Sequence, residues 1–81
     1  MARVVLSGSL KAAMPGDAPL DIQATDVRQL LRQLGELCPG IRNQLDEGVT
    51  LSIDGQIYND ALFEPIEEDS EVYVMPRLAG G

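Results

Sequence analysis

The chain has 81 residues, 44% of them hydrophobic and 23% charged, with 13 acidic against 6 basic side chains and a net charge of −7. That length suits one small domain near the lower limit for a self-supporting core, and the apolar fraction is enough to fold it. So acidic a surface excludes polyanions, which leaves no nucleic acid and no anionic membrane as partner and favours a protein with a basic docking face. Histidine is absent and Cys38 is the sole cysteine. The usual metal clusters, histidine-assisted nucleophiles and an internal disulfide are thereby removed, and a self-contained catalytic pocket is not expected. No long apolar run and no basic-then-apolar leader is visible, so the expectation is a soluble protein of a reducing compartment, the cytoplasm.

In chain order, Arg3 to Leu10 is rich in β-formers and reads as a first strand. Met14-Pro15-Gly16-Asp17 then reads as a turn by its Pro-Gly pair, and a return strand follows from about Ala18 to Ala24, with Leu20, Ile22 and Ala24 alternating against Asp21 and Gln23. The period changes at Val27. Val27, Leu30, Leu31, Leu34, Leu37 and Cys38 recur at helical spacing, with Arg28, Gln29, Arg32 and Gln33 opposite. Asp26 is placed to cap this helix and Gln29 to reach back, while Pro39-Gly40 ends it. Ile41 to Leu45 suits a short further turn.

Val49 to Ile53 alternates again, with Val49, Leu51 and Ile53 inward. Asp54-Gly55 is a two-residue hairpin signal, Gln56 to Tyr58 pairs back, and Glu71 to Met75 forms the last strand. The order of strand, strand, helix, strand, short strand, strand predicts an α+β domain of β-grasp architecture, a mixed sheet of four to five strands packed on one main helix. Leu30, Leu31, Leu34 and Leu37 are expected to pack on Val5, Ile22, Leu51 and Val74, each burial contributing roughly 1.5–3 kcal/mol against the entropy of ordering. From Pro76 onward the chain reads as a flexible tail ending in Gly80-Gly81. Two glycines in succession can thread a narrow cleft and present a carboxylate that no side chain shields.

The segment from Glu71 through Pro76, Arg77, Leu78 and Ala79 to Gly80-Gly81 resembles the ending of the MoaD/ThiS family of ubiquitin-like sulfur-carrier proteins, most nearly the molybdopterin synthase small subunit. Asp26-Val27 with Leu30-Leu31, and Ile53-Asp54-Gly55, are similar to two further family patterns, and the element order extends the likeness to the whole of residues 1–81 as one domain. The chain departs from the pattern in having Arg77 where many members have a second proline, Ser70 before the last-strand Glu71, and Ser7-Gly8-Ser9-Leu10 in its opening. The resemblance implies a protein cosubstrate rather than an enzyme. It binds no cofactor itself. The Gly81 carboxylate would be adenylated with ATP by a ubiquitin-activating-like (ThiF/MoeB-like) adenylyltransferase, receive persulfide sulfur by way of a sulfurtransferase or cysteine desulfurase, and deliver it as a thiocarboxylate to an acceptor synthase subunit such as a MoaE-like protein. Ala79 and Gly80 would let the tail extend, and Leu78, Arg77, Pro76, Met75 and Phe63 would dock it. Carriers for thiamine, cysteine or other metabolites remain alternatives, as do a ubiquitin-like modifier that forms isopeptide bonds and a passive β-grasp interaction module.

Other features weigh less. Cys38 reads as a small apolar residue closing the helix rather than a relay thiol. Glu64, Glu67, Glu68, Asp69 and Glu71 lack the spacing of a calcium loop and read as a solvated acidic edge able to steer a basic partner. Met75, Leu78 and Phe63 stand open between core and docking patch, and Arg77 between specificity and ordinary solvation. Lys11 is the sole lysine, so self-conjugation through a side-chain amine has one site.

Overall fold

The computed structural model describes residues 1–14, 16, 18–59 and 61–77. Five strands form one mixed sheet. They are β1 (Ala2–Leu6), β2 (Leu20–Ile22), β3 (Val49–Ile53), β4 (Gln56–Asn59) and β5 (Glu71–Pro76), in the spatial order β2-β1-β5-β3-β4. β1 and β5, the first and last strands, lie parallel at the centre with Val4 opposite Val72 and Leu6 opposite Val74. All other pairings are antiparallel. Helix α1 (Val27–Leu37) is the main helix, followed by a 3-10 turn at Pro39–Ile41 and the short helix α2 (Arg42–Glu47). This is the β-grasp arrangement that the element order predicts.

Alternation sorts the sheet residues. Ala2, Val4 and Leu6 of β1, Val72 and Val74 of β5, and Val49, Leu51 and Ile53 of β3 are all buried. They pack with Val27, Leu30 and Leu34 of α1 in one core that also takes Leu10, Ile22, Cys38, Ile41 and Ile66. The helix seam falls one residue short of the predicted one. Cys38 and Ile41 fill the end of the core, while Leu37 projects at the rim and is 55% exposed. Val5 points to the other face of the sheet, as an odd position of a strand whose even positions are buried must.

The start of α1 is unusually complete in its bonding. Asp26 has extended backbone and its carboxylate Oδ1 accepts from the Gln29 N–H at 2.8 Å. The Gln29 side chain reaches back to accept from the Thr25 N–H at 3.1 Å, one residue before the position a capping box would use. The Val27 and Arg28 N–H groups donate to the carbonyls of Glu64 and Leu62 at 3.0 and 2.9 Å. The loop after β4 thus satisfies donors that a helix terminus otherwise leaves orphaned. At the far end Arg42 Nε donates to the Gly35 carbonyl at 3.1 Å, tying α2 to α1.

Three strands differ in extent from the sequence expectation. The first strand ends at Leu6, and Gly8–Ala13 forms a 3-10 helix that carries Leu10 into the core with no exposure. Gly8 adopts φ +63°, which turns the chain out of the strand. The return strand is correspondingly short, Leu20–Ile22, though it pairs with β1 as a hairpin should. Pro15 and Asp17 of the expected turn lie outside the described residues. β5 also runs one residue further than expected, because Pro76 still pairs with Val49. The β3–β4 turn is as read from Asp54-Gly55, with φ positive at both residues. Asp54 Oδ1 also accepts from the Glu71 N–H at 2.9 Å, fastening the turn to the start of β5.

Two outcomes follow. Asp26→Ala removes the cap and lowers stability by about 1 kcal/mol, a fall of about 4–8 °C in the thermal midpoint, measurable by circular dichroism. Cys38 is buried and desolvation pushes its thiol above the ordinary range, so iodoacetamide should alkylate the native chain roughly tenfold or more slowly than the same chain in denaturant.

Candidate functional site

The sheet has one covered face and one open face, and the strand register decides what the open face shows. Val5, Tyr73, Ser52 and Ile57 stand opposite one another on β1, β5, β3 and β4, forming a row straight across the sheet. Tyr73 is 44% and Ile57 61% exposed, while Val5 and Ser52 are half-buried. One step along β5, Met75, Thr50 and Asn59 make a second row, in which the Thr50 hydroxyl donates to Asn59 Oδ1 at 2.7 Å. One step the other way, Arg3 stands between Asp21 of β2 and Glu71 of β5. The open face is therefore apolar toward the end of β5 and charged toward its beginning. A Tyr or Ile at an outward position of a half-buried sheet is surface that a partner's side chains can cover.

This row was not among the residues singled out from the sequence. The signal was present in Glu71-Val72-Tyr73-Val74, because if Val72 and Val74 face the core then Tyr73 must face away. The same parity puts Ile57 outward opposite Ser52.

Of the residues expected to dock the tail, Met75 and Pro76 are half-buried at the end of β5 and Arg77 follows them, exposed. Leu78, Ala79, Gly80 and Gly81 lie outside the described residues. Phe63 is 80% exposed and sits in the loop that bonds the first turn of α1. Its neighbour Leu62 lines a shallow groove on the helix side with Leu31, Leu45 and Ala61.

The chain around the end of β5 is tightly defined. The Ser7 N–H donates to the Val74 carbonyl at 2.9 Å, and the Ser7 hydroxyl approaches the same oxygen at 3.4 Å. A Cβ built on Gly8 would meet Pro76 Cδ at 3.1 Å and Cγ at 3.4 Å. Ser70, at the opposite end of the strand, is buried, and its hydroxyl accepts from the Glu67 N–H at 3.0 Å. That neutral bond closes the turn into β5 without burying a charge. Glu67, Glu68 and Asp69 of this turn and Glu71 beyond it are exposed. Among the described residues no three histidine, cysteine or carboxylate side chains converge as metal ligands, and no helix is long and apolar enough to cross a membrane.

No family model matches the chain, and no curated protein matches it. Solved structures do. A complex of subunits 1 and 2 of molybdopterin-converting factor from Helicobacter pylori includes a chain that is 20% identical, with a TM-score of 0.67, covering 99% of this chain and 97% of that one. Small archaeal modifier protein 1 from Haloferax volcanii is 19% identical with a TM-score of 0.72, covering 99% and 98%. Small archaeal modifier protein 1 from Methanosarcina acetivorans is 21% identical with a TM-score of 0.75, covering 99% and 95%. Matched over 99% of its length, the chain has the ubiquitin-like β-grasp fold shared with a chain of that complex and with the two small archaeal modifiers.

Proposed function

We propose that this protein is a sulfur carrier, a cosubstrate whose Gly81 carboxylate is activated and then carries sulfur to an acceptor enzyme. The observation that carries the reading is the position of β5. β5, a central strand, carries Tyr73 in a partly exposed row with Ile57 and ends at Pro76, so a surface suited to a partner lies on the strand that leads into the carboxyl-terminal segment.

The chemistry requires activation because a carboxylate is already negative and has no competent leaving group. A carboxylate oxygen of Gly81 attacks the α-phosphorus of ATP bound to an adenylyltransferase, and the bond to pyrophosphate breaks. A persulfide sulfur, supplied by a sulfurtransferase or desulfurase, then attacks the acyl carbon and expels AMP. A second thiol cleaves the resulting acyl disulfide, releasing the thiocarboxylate and leaving a disulfide on the donor side. Every reactive group except the carboxylate belongs to partners. This chain contributes orientation, by docking through Tyr73, Ile57 and Met75 and by holding the start of the tail at Pro76. Its charge of −7 favours partners with a basic face and speeds encounter with them.

The likeness to a chain in the two-subunit molybdopterin-converting factor complex supports an acceptor synthase subunit as the recipient and a molybdopterin-type pathway. The likeness to two small modifier proteins supports a second reading, in which a substrate lysine intercepts the same activated glycine and forms an isopeptide bond. The two share the adenylation step and part only at the nucleophile.

Deleting Gly80 and Gly81, or replacing Gly81 by a bulky residue, should abolish ATP–pyrophosphate exchange by the host's adenylating enzyme while leaving the thermal midpoint unchanged. Exchange that persists would defeat the proposal. Intact-mass spectrometry of the chain from its own cells should find sulfur in place of one oxygen at Gly81; a Gly81–lysine linkage found instead selects the modifier reading. Tyr73→Ala and Ile57→Ala should each weaken partner binding by about tenfold, read by calorimetry on variants that remain folded, with a loss of stability of at most about 1 kcal/mol for Tyr73, which is partly covered on a central strand.

A further inference from the structure

The sheet has two edges, β2 and β4, and they are guarded differently. β2 is three residues long, is entered through Pro19 and carries the exposed Asp21. Brevity, proline and charge are the devices that keep an edge from pairing with another chain. β4 has neither charge nor proline in its four residues, and Gln56, Ile57 and Asn59 are exposed.

Register decides which main-chain groups β4 leaves open. A two-residue turn is closed by a hydrogen-bonded pair, here Ile53 with Gln56. Such pairs alternate with non-hydrogen-bonded ones along an antiparallel ladder, so Leu51 with Tyr58 is bonded, whereas Ser52 with Ile57 and Thr50 with Asn59 are not. The Asp54 N–H that donates to the Glu71 carbonyl at 2.9 Å fixes the same phase from the β5 side of β3. The N–H and C=O groups of Ile57 and Asn59 therefore point away from β3, and among the described residues no backbone bond outside the ladders takes them up. The two sides of this edge differ in chemistry. Ile57 is 61% exposed on the open face. Tyr58 packs against the core on the helix side, and its hydroxyl donates to Gln56 Oε1 at 2.8 Å. Desolvation, a side-chain hydrogen bond with Glu64 and the charges of Glu64 and Asp54 push that hydroxyl above the ordinary tyrosine range, so two carboxylates lie around it.

We propose that β4 is a docking edge for an extended segment of a partner protein in which apolar and basic residues alternate, added as an antiparallel strand. The segment's residues opposite Ile57 and Asn59 exchange main-chain hydrogen bonds with them and lay apolar side chains on the open face, widening the row of Val5, Tyr73, Ser52 and Ile57 by one strand. The residue opposite Tyr58 projects to the helix side, where a lysine or arginine meets the tyrosine ring and the carboxylates of Glu64 and Asp54. A second copy of this chain fits the edge badly, because pairing β4 with β4 brings the same carboxylates together on two molecules of charge −7. Such docking is independent of the chemistry at Gly81.

The test is amide hydrogen exchange read by NMR on the full chain, with a capped hexapeptide of alternating valine and lysine as the probe. At saturating peptide the Ile57 and Asn59 amides should exchange at least about tenfold more slowly, and the Tyr58 amide, already bonded to β3, should slow by less. Methylating the valine nitrogens, which face β4 in the antiparallel pairing, should abolish this protection; methylating the lysine nitrogens should not. The peptide with glutamate in place of lysine should bind about tenfold more weakly, and Glu64→Gln or added salt should shrink that preference. Edge amides that stay unprotected, or equal binding of the lysine and glutamate peptides, overturn the inference. Edge protection that rises with protein concentration in the absence of peptide overturns it in favour of a second copy of the chain.

Discussion

The parallel pairing of β1 with β5 is the interaction on which the rest of the molecule depends. It joins the first strand to the last, and the Ser7–Val74 bond at its end spans 67 positions of sequence. Without that pair the sheet is two separate pieces, the β1–β2 hairpin and the antiparallel set of β5, β3 and β4, and α1 has no continuous face to cover. Closing so long a loop costs chain entropy that only the buried face of the completed sheet repays. Val4, Leu6, Val72 and Val74, all without exposure, are where that return is concentrated. The acid-rich turn that feeds β5 is held by neutral bonds through Ser70, so the closing strand enters without burying a carboxylate.

How much of this was legible in the sequence varies with the physics behind each signal. The α1 start at Asp26, the Asp54-Gly55 turn and the inward set Val49, Leu51 and Ile53 were all readable, because each is fixed by residues within a few positions of one another. The 3-10 helix at Gly8–Ala13 was not. Arg3 to Leu6 is rich in β-formers and the expected strand runs on past it, but Ser7, Gly8 and Ser9 are not β-formers, and the glycine marks a break without saying which way the chain goes. Leu37 was misplaced for a related reason. Helical periodicity assigns a face but not how far the covering sheet extends, and here Cys38 and Ile41 take the last places.

For the site, Met75, Pro76 and Arg77 are together at the end of β5, while Phe63 lies in the loop that bonds the first turn of α1. Exposure of an aromatic residue is a property of its loop, and this loop belongs to the helix. The open-face row of Val5, Tyr73 and Ile57 depends on register across four strands, and no single segment records register. The helix side and the sheet side thus present separate apolar features with different neighbours, Leu62 with Leu31 and Leu45 on one, Tyr73 with Ile57 on the other.

Because β1 and β5 run the same way, the two ends of the described chain emerge from opposite poles of the domain. Met1 precedes the pole where Arg3 meets Glu71, while Arg77 leaves from the pole where Pro76 meets Val49. Whatever is attached ahead of Met1, an affinity handle, a fluorophore or another domain, is held a full strand length from Pro76. The domain can therefore be tethered, immobilised or fused through its amino end without crowding the pole where β5 ends.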